Sequence, residues 1–493
     1  MKDKKNYMNQ ELRQGRGTGS AVSLSSIGIL LMVILPWMVY DQGAGAAWIA
    51  VGCFAGMLLL WQTDSYRLLR YSLQQKDRMT LPGFFNGRFR EKKPGIRISF
   101  ALVMIPVLLF VSATLLYGVS EFAEILLGVE KIYTVIGLIL ISVGLFFVFG
   151  RGGLCLAECW IAPLVLFAFV ALNLAILRCL GSGHVLENIF HSWAAGSVSE
   201  YVNVGYMGGK HLSIMEIISL FSLGFLVPGN PLALARFQRS DRARTIHRSR
   251  RWAVIFSLLT LFLSVLTGGM LRAALYPSDI RSVKGLFLWI LKEDTNRGFL
   301  FHLAGLVFVA AAALVALDLI HTCILHATEM LHEDVVPYLF PRRKSERSRE
   351  RRIVTVILLS TEACVFVLAM RGGNYMYTVS ADALIILGAG LAPATWISLL
   401  NSRTTAAGCI AAFFGGMGFA AFWIFVKCIP LGESYGSWMT MQELTGFAAV
   451  LPGMAFGMIC GKIGTLAAKE PTKEVVADFE EVRYRLVSSD SRD

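Results

Sequence analysis

"LVPGNP", residues 226–231, places prolines and a glycine inside an apolar run that is otherwise long enough to cross a membrane. Proline removes a backbone donor and clashes with the preceding helical turn. In lipid, the backbone groups that such an interruption frees are tolerated only where they face protein or a water-filled cavity. The first apolar run carries Pro36 in "LLMVILPWMVY", which an ordinary helix kink would also explain. Interrupted helices at matching places in two halves of a chain indicate a solute-binding site.

The composition places the whole chain in the membrane. Its 493 residues are 55% hydrophobic and 16% charged, with a mean hydropathy of +0.59, whereas a soluble domain carries about 25% charged residues. Many apolar runs reach the length of about 20 residues that crosses the hydrocarbon core. The polar N-terminus leads directly into such a run without a signal-peptide cleavage pattern. The sequence therefore predicts an all-α polytopic membrane protein.

Twelve membrane spans follow from these runs. Most of the 46 Lys and Arg residues fall in the loops that alternation places on the same side as both termini, which we call the basic side. The positive-inside rule makes this side cytoplasmic. The chain is thus expected in the cytoplasmic (inner) membrane, multi-pass, with both termini cytoplasmic. The predicted spans are 20–40, 44–62, 98–119, 132–150, 156–177, 213–231, 252–275, 299–326, 353–370, 378–400, 405–426 and 442–464.

Several function classes are disfavoured by the same observations. Basic loops beside membrane spans are explained by topology, so no nucleic-acid partner is expected. The sequence contains no nucleotide-binding motif and no nucleophile–base pair, so we expect no enzyme and no cofactor. The nine cysteines lie mostly within spans and are typical of small packing residues rather than of disulfides or a metal site.

The eighth run, "AAAALVALDLIHTCILH" at residues 310–326, carries three polar residues on one helical face, since Asp318, His321 and Thr322 follow at steps of three and four. A carboxylate at this depth normally faces the protein interior, because burial in lipid costs several kcal/mol. An aspartate and a histidine one turn apart could hold or release a proton. We predict either a proton-coupling pair of Asp318 and His321 or a buried hydrogen bond that only fixes the helix.

Other ionisable residues allow similar alternatives. The helix end "HATEMLHED" could bind a divalent metal, but a solvated end is favoured and no metal is expected. Glu158 and Glu362 lie within spans and could pair with neighbouring helices or join a proton relay. Glu216 and Asp382 lie near helix starts, where a carboxylate complements the helix dipole, so we interpret both as structural.

Three segments resemble the sodium:solute symporter family, and especially its sodium/proline symporter branch. "MTLPGFFNGRF" (79–89) is similar to the family's segment between its second and third core helices. "PGNPLALARFQRSDRARTIHRSRR" (228–251) is similar to the family's Gly-Gln-Pro segment, the Ala-Arg-Phe that follows it and the basic loop beyond. "HEDVVPYLF" (332–340) is similar to the acidic end of the eighth core helix. The resemblance implies a five-plus-five inverted-repeat, LeuT-like fold with a midplane substrate site and two extra C-terminal helices.

Departures from the family pattern concern the coupling ion. The family's sodium site combines backbone carbonyls of the broken first helix with hydroxyls on the eighth. Here Ser26 stands where the proline branch has an aspartate, and the hydroxyl pair becomes His321 and Thr322. An alignment shifted by one turn puts Asp318 there instead. Either register places an ionisable group where the family has a neutral oxygen, so coupling is to sodium by family default, while Asp318 and His321 suggest a proton.

The resemblance and the interruptions together predict a secondary active transporter of a small organic solute, amino-acid or carboxylate-like, that works by alternating access. The alternative is a transporter-derived receptor or scaffold without transport. The solute would sit between 25–36 and 226–231, where helix-end amides favour a carboxylate. Aliphatic residues such as Leu30 and Val227 stand where a proline pocket needs aromatics. Coupling-ion candidates are Asp318, His321, Thr322, Ser25 and Ser26; pocket candidates are Leu30, Pro36, Val227, Gly229, Asn230, Pro231 and Glu158.

The chain divides into three predicted parts. Residues 1–19 form an N-terminal segment, 20–465 the membrane domain, and 466–493 a polar tail that either forms a short helix or stays mobile. Within the domain, inverted repeats occupy about 20–177 and 213–400, followed by extra helices at 405–464. The sequence does not fix the oligomeric state or the solute; the lipid bilayer and a small molecule are the expected partners.

Overall fold

The computed structural model describes residues 17–74, 80–149, 154–191, 201–238, 246–276, 280–291, 298–339, 347–430 and 438–490. Twelve of the described helices are long and apolar enough to cross a membrane, which confirms the predicted all-α class and number of spans. The spans are Gly17–Gln42, Ala44–Leu73, Gly95–Leu127, Lys131–Val148, Trp160–Leu180, Ile214–Gln238, Ile246–Leu275, Gly298–Leu339, Arg351–Met370, Tyr375–Leu400, Ala406–Phe425 and Val450–Ala467.

Several span ends differ from the prediction, among them that of the second span, which continues to Leu73 instead of ending at residue 62. The sixth span continues to Gln238 and the eighth to Leu339, well beyond the predicted ends at 231 and 326. Both extensions carry charged residues that the hydropathy pattern assigned to loops. They stay helical because the surrounding protein, rather than lipid, covers them.

Short elements connect the spans. Additional helices are Leu81–Arg88, Ser182–His191, Val283–Leu291, Met441–Thr445 and Lys473–Asp490. Antiparallel hairpins pair Tyr206–Met207 with Lys210–His211, and Lys427–Pro430 with Trp438–Thr440.

The first, sixth, eighth and tenth spans are among the most buried, whereas the fourth is largely exposed to lipid. Glycines let the second and sixth spans approach at backbone distance, because a Cβ on Gly56 would overlap the carbonyl oxygen of Gly224. Such small residues are the usual means of close helix packing in membranes. The interrupted span and the polar eighth span are thereby held in the centre of the molecule.

The C-terminal segment forms the helix Lys473–Asp490, one of the two predicted alternatives. It packs on the segment between the second and third spans. Arg90 pairs with Asp478 at 2.8 Å, and the buried Arg88 donates to the Ser398 carbonyl at 3.0 Å and lies over the Phe479 ring. The C-terminal helix and this basic loop therefore share one side of the molecule.

Candidate functional site

The sixth span is broken at the predicted place. Its first half is the helix Ile214–Ser222, which tightens into a 3₁₀ turn at Leu223–Leu226. The chain then leaves helical geometry and begins the second half at Pro231–Gln238. Proline suits the first position of a helix, where its missing N–H has no partner to lose. The interruption predicted from 226–231 is confirmed.

Asn230 joins this break to the first span. Its Oδ1 accepts from the backbone amides of Leu232 at 2.9 Å and Ala233 at 3.4 Å, which caps the second half-helix. Its Nδ2 donates to the carbonyl oxygen of Ser25 at 3.2 Å. The sequence predicted exposed amides at this helix end for a substrate carboxylate. That expectation is wrong for the Leu232 and Ala233 amides, because Asn230 already satisfies them.

The first span is widened rather than broken, which corrects the predicted interruption. The helix Gly17–Gln42 is continuous, and Leu30–Ile34 within it is π-helical. Pro36 follows this wider turn, which accommodates the missing proline donor. From the seventh span, the Ser264 hydroxyl donates to the Leu31 carbonyl at 2.7 Å. The helix thus keeps its path while a neighbouring side chain satisfies the disturbed backbone.

The two serine candidates differ in what their hydroxyls contact. Ser26 Oγ donates to the Val22 carbonyl of its own helix at 2.6 Å. Ser25 is buried, and its Oγ has no hydrogen-bond partner among the residues that the structure describes. Ser25 is therefore the serine with an unused buried hydroxyl at the contact between the first and sixth spans.

Two predicted pocket residues face other helices. Val227 lies against Gly56 of the second span. A Cβ on Gly229 would lie 2.5 Å from the carbonyl oxygen of Gly388 in the tenth span. These residues fix the position of the break against its neighbours, rather than lining a space beside the first span.

The other pocket candidates are spread around the break. Leu30 is half-buried, and the Pro36 carbonyl packs against Gly268 of the seventh span. Pro231 lines a small cavity. Glu158 lies in the helix Leu154–Leu180, which contains the fifth span, but its side chain lies outside the described residues.

That cavity has a volume of about 20 Å³, which accommodates a water molecule but no organic solute. It lies between the third, sixth and eighth spans, displaced from the predicted space between the first and sixth. Its lining residues are Thr80, Leu81, Met104, Leu108, Pro231, Ala235, Gln238, His326, Glu329 and Met330.

A buried arginine of the sixth span faces the polar eighth span. Arg236 is 6% exposed, and its Nη2 donates to Thr322 Oγ1 at 3.2 Å. Asp318 is 4% exposed and lies one turn before Thr322. Arg236 is the positive charge that acts on the Asp318 carboxylate, whose Oδ1 has no hydrogen-bond partner in the described part of the chain. The prediction that Arg236 belongs to a basic loop is wrong.

His321 faces a different set of helices. Its Nδ1 lies 3.0 Å from Ser142 Oγ in the fourth span, and Ser142 donates to Glu362 Oε1 in the ninth at 2.7 Å. A hydroxyl has one proton, so Ser142 accepts from His321 while it donates to Glu362. All three residues are buried. The predicted pairing of Asp318 with His321 is corrected, because these side chains contact different neighbours.

The end of the eighth span is buried, not solvated as predicted. His326 and His332 are 6% and 4% exposed. His326 Nδ1 lies 2.7 Å from the Thr322 carbonyl, and His332 Nδ1 lies 2.8 Å from Glu333 Oε1. Among the described residues, no group of three or more His, Cys, Asp or Glu side chains could hold a metal ion.

Two of the sequence motifs meet on the basic side. Asp334 accepts from the Thr80 hydroxyl at 2.7 Å and from Arg97 Nε at 2.5 Å. Thr80 also caps the helix Leu81–Arg88. These contacts tie the end of the eighth span to the segment between the second and third spans.

Sequence reasoning missed Arg236 and Ser142 and gave Asn230 no specific contact. The sequence does contain a signal that Arg236 lies in a buried helix, because "PLALARF" is apolar on both sides of the arginine and continues the helical pattern after Pro231. Ser142 has none, since a serine in an apolar span commonly bonds its own helix. Glu216 forms a capping box with Ser213, the structural role that was expected.

The family model and the curated relatives indicate the same protein family. Residues 14–416 match the sodium:solute symporter family. The sodium/proline symporters of Staphylococcus aureus strains Newman and JH9 are each 23% identical over 492 residues, which covers 97% of this chain and 90% of theirs.

Solved structures show the same fold. A sodium-coupled sialic acid symporter, in a substrate-bound outward-open state, superposes with a TM-score of 0.62 at 12% identity and covers 94% of this chain and 98% of its own. A nucleobase-cation-symport-1 family transporter, closed with bromovinylhydantoin bound, gives 0.54 at 12% identity over 95% and 96%. The predicted LeuT-like fold is thereby confirmed.

Proposed function

The chain belongs to the sodium:solute symporter family, and we propose that it is a secondary transporter that carries a small organic solute across the membrane by alternating access. The observation that carries this proposal is the broken sixth span, whose second half is capped by Asn230 and hydrogen-bonded through it to the first span. In transporters of this architecture, irregular backbone at membrane depth lines the substrate site.

The solute is proposed to bind beside Leu30 and the Ser25 hydroxyl. Ser25 is buried next to the break, and Leu30 lies in the π-helical turn, where the wider backbone leaves room for movement. Proline, the solute in the name of two relatives, carries a carboxylate. An amino acid or other small carboxylate is therefore the class of solute to test first. Because the residues near the break are aliphatic, we expect the solute to carry aliphatic rather than aromatic groups.

Alternating access is supported by where the polar contacts lie. The second half of the sixth span contacts the first span through Asn230 and the eighth through Arg236. On the basic side, Asp334 contacts Thr80 and Arg97. These few hydrogen bonds join separate helices, so they can break and re-form as the half-helix moves. The basic side is proposed to be cytoplasmic.

The test is uptake by purified protein in liposomes, with a panel of amino acids and small carboxylates and with sodium and proton gradients imposed separately. We expect at least one solute to accumulate. The variant Leu30→Trp should abolish uptake by placing an indole ring where the solute is proposed to bind. Leu102→Trp, the same change at a side chain that is 58% exposed on the third span, is the matched control and should transport normally.

The second candidate is a receptor or scaffold that has lost transport. The observation that favours it is the set of internal contacts at the predicted coupling site, where side chains of the chain itself bond to Ser25 and Thr322. Absence of uptake across the panel, with folded protein in the vesicles, would support this candidate and contradict transport.

A further inference from the structure

A row of hydrogen bonds joins three helices on the side of the eighth span that faces away from the sixth. His321 Nδ1 lies 3.0 Å from Ser142 Oγ, and Ser142 donates to Glu362 Oε1 at 2.7 Å. The three side chains are at most 2% exposed, and Ser142 and Glu362 lie near the middle of the fourth and ninth spans. Titratable side chains at this depth are rare in membrane proteins and commonly mark the path of an ion or a proton.

Ser142 is placed as a link between the two titratable groups. A hydroxyl inside a membrane helix commonly bonds a carbonyl of its own helix, as Ser26 does with Val22. Ser142 Oγ instead contacts side chains of two other helices among the described residues. A hydroxyl that accepts from one titratable group and donates to another can pass a proton between them.

The charge of these three residues depends on a single proton. With His321 neutral and Glu362 ionised, the total charge is negative. In the part of the chain that the structure describes, Glu362 Oε2 is buried without a hydrogen-bond partner, and no lysine or arginine pairs with this carboxylate. A buried charge without a partner is costly. One added proton, on either His321 or Glu362, makes the total neutral.

The observed contacts allow that proton to move between the two residues. When the imidazole is fully protonated, its Nδ1–H donates to Ser142 Oγ while the hydroxyl donates to Glu362 Oε1. The Nδ1 proton can then pass to Oγ as the hydroxyl proton passes to Oε1. The imidazole and the carboxyl group are then both neutral, and the intact hydroxyl donates to Nδ1. One proton has moved from His321 to Glu362, and no other bond has changed.

The other titratable groups of the packed helices face elsewhere, as far as the described residues show. On the eighth span, Cys323 lies toward Asp318 on the opposite side, and His326 Nδ1 contacts the Thr322 carbonyl. The third span meets this region through the Ser112 hydroxyl, which donates to the Ile320 carbonyl at 3.3 Å. The nearest titratable residues in the sequence of the third, fourth and ninth spans either contact other helices or are exposed, and these are Tyr117, Tyr133 and Cys364.

We propose that His321, Ser142 and Glu362 form a binding site for one exchangeable proton, and that this proton drives transport. The eighth span carries the site on one face and, on the other, Thr322, whose hydroxyl accepts from Arg236 of the sixth-span half-helix at 3.2 Å. A shift of the eighth span on proton binding therefore acts on the half-helix. The driving role rests on the proposed transport function, whereas the proton site does not.

The experiment that tests the site is infrared difference spectroscopy of the full-length protein in lipid films, titrated with pH. Protonated carboxyl groups absorb at a C=O stretching frequency that carboxylates lack, and the measurement needs no solute. We expect a titrating band that Glu362→Gln removes. Asp382→Asn, at a half-buried carboxylate of the tenth span, is the matched control and should keep that band. If Glu362→Gln does not fold, Glu362→Asp should move the band, because the shorter side chain withdraws the carboxyl group from Ser142.

Two further variants test whether the three residues act together. Ser142→Ala should shift the Glu362 band to higher frequency, because the carboxyl group loses its hydroxyl partner. Ser112→Ala, which removes another buried hydroxyl that contacts the eighth span, should leave the band unchanged. His321→Gln should let the band persist to higher pH, because the imidazole no longer competes for the proton.

Two spectroscopic results would overturn the proton site. One is a wild type without a titrating carboxyl band that depends on Glu362, since the three residues would then only hold the helices together. The other is a Glu362 band whose frequency and pH midpoint ignore both Ser142→Ala and His321→Gln, since the carboxyl group would then titrate alone.

The driving role is tested separately in liposomes. Accumulation of solute under an imposed proton gradient should be lost in His321→Gln, while exchange of labelled for unlabelled solute without a gradient is retained. Gradient-driven accumulation that survives in His321→Gln would contradict the driving role and leave the transport function standing. Absence of both accumulation and exchange in the wild type would contradict the transport function itself, while the infrared titration still decides the proton site.

Discussion

The two faces of the eighth span carry polar groups of different kinds. Asp318 and Thr322 face the sixth span, where Arg236 supplies a permanent positive charge. His321 faces the fourth and ninth spans, where Ser142 connects it to Glu362. The arginine face holds a fixed charge, whereas the histidine face holds an imidazole and a carboxyl group that can both bind a proton. The polar groups that the sequence placed on one face are thus divided between two, and we propose that charge balance belongs to the arginine face and proton exchange to the histidine face.

The largest decrease in the free energy of unfolding is expected for changes on the arginine face. Arg236→Met should lower the free energy of unfolding by about 3 kcal/mol, because Thr322 Oγ1 loses its buried donor and the buried Asp318 side chain loses the positive charge near it. The double variant with Asp318→Leu should recover most of the loss, since apolar residues can replace a buried ion pair at little cost. Unfolding in mixed detergent micelles measures both, and Arg251→Met is the matched surface control.

A double variant as unstable as Arg236→Met alone would contradict this account. Arg236 would then act through its packing or its contact with Thr322 rather than through Asp318.

A smaller decrease in the free energy of unfolding is expected for changes at Asn230, where the half-helix that carries Arg236 joins the first span. Asn230→Ala should cost about 2 kcal/mol, from the loss of the helix cap and of the hydrogen bond to the Ser25 carbonyl. Asn230→Ser keeps an acceptor that can cap the helix and removes the amide donor that reaches Ser25, so it should cost about half as much. The same unfolding measurement separates the two contacts, and equal losses for both variants would show that the cap contributes nothing.

Much of the fold could be predicted from the sequence, because a helix that crosses a membrane must consist mainly of apolar residues. Each span needs about 20 apolar residues, so the number of spans was correct. The break at 226–231 was also correct, since prolines and a glycine together cannot continue a helix. Pro36 was misjudged because one proline can be absorbed by a π-helical turn when a neighbour such as Ser264 satisfies the freed carbonyl.

The candidate site was less predictable, because it depends on which helices are adjacent. The spacing of Asp318, His321 and Thr322 placed them near one face of their own helix, but a buried helix has neighbours on every side. Their partners Arg236 and Ser142 lie far away in the sequence. Arg236 was assigned to a loop because hydropathy treats every arginine as solvent-exposed, although a helix covered by protein accommodates one beside a carboxylate.

The smallest change in stability is expected on the histidine face. Glu362→Gln preserves the shape of the side chain and an acceptor for the Ser142 hydroxyl, so the free energy of unfolding should change by less than about 1 kcal/mol. It removes a group that can bind a proton next to His321. Uptake of the solute identified by the panel should therefore lose its response to a proton gradient, while Asp382→Asn, a half-buried carboxylate of the tenth span, should retain it. If Asp318→Asn removes the response and Glu362→Gln does not, proton exchange belongs to the arginine face, and the division of roles between the two faces fails.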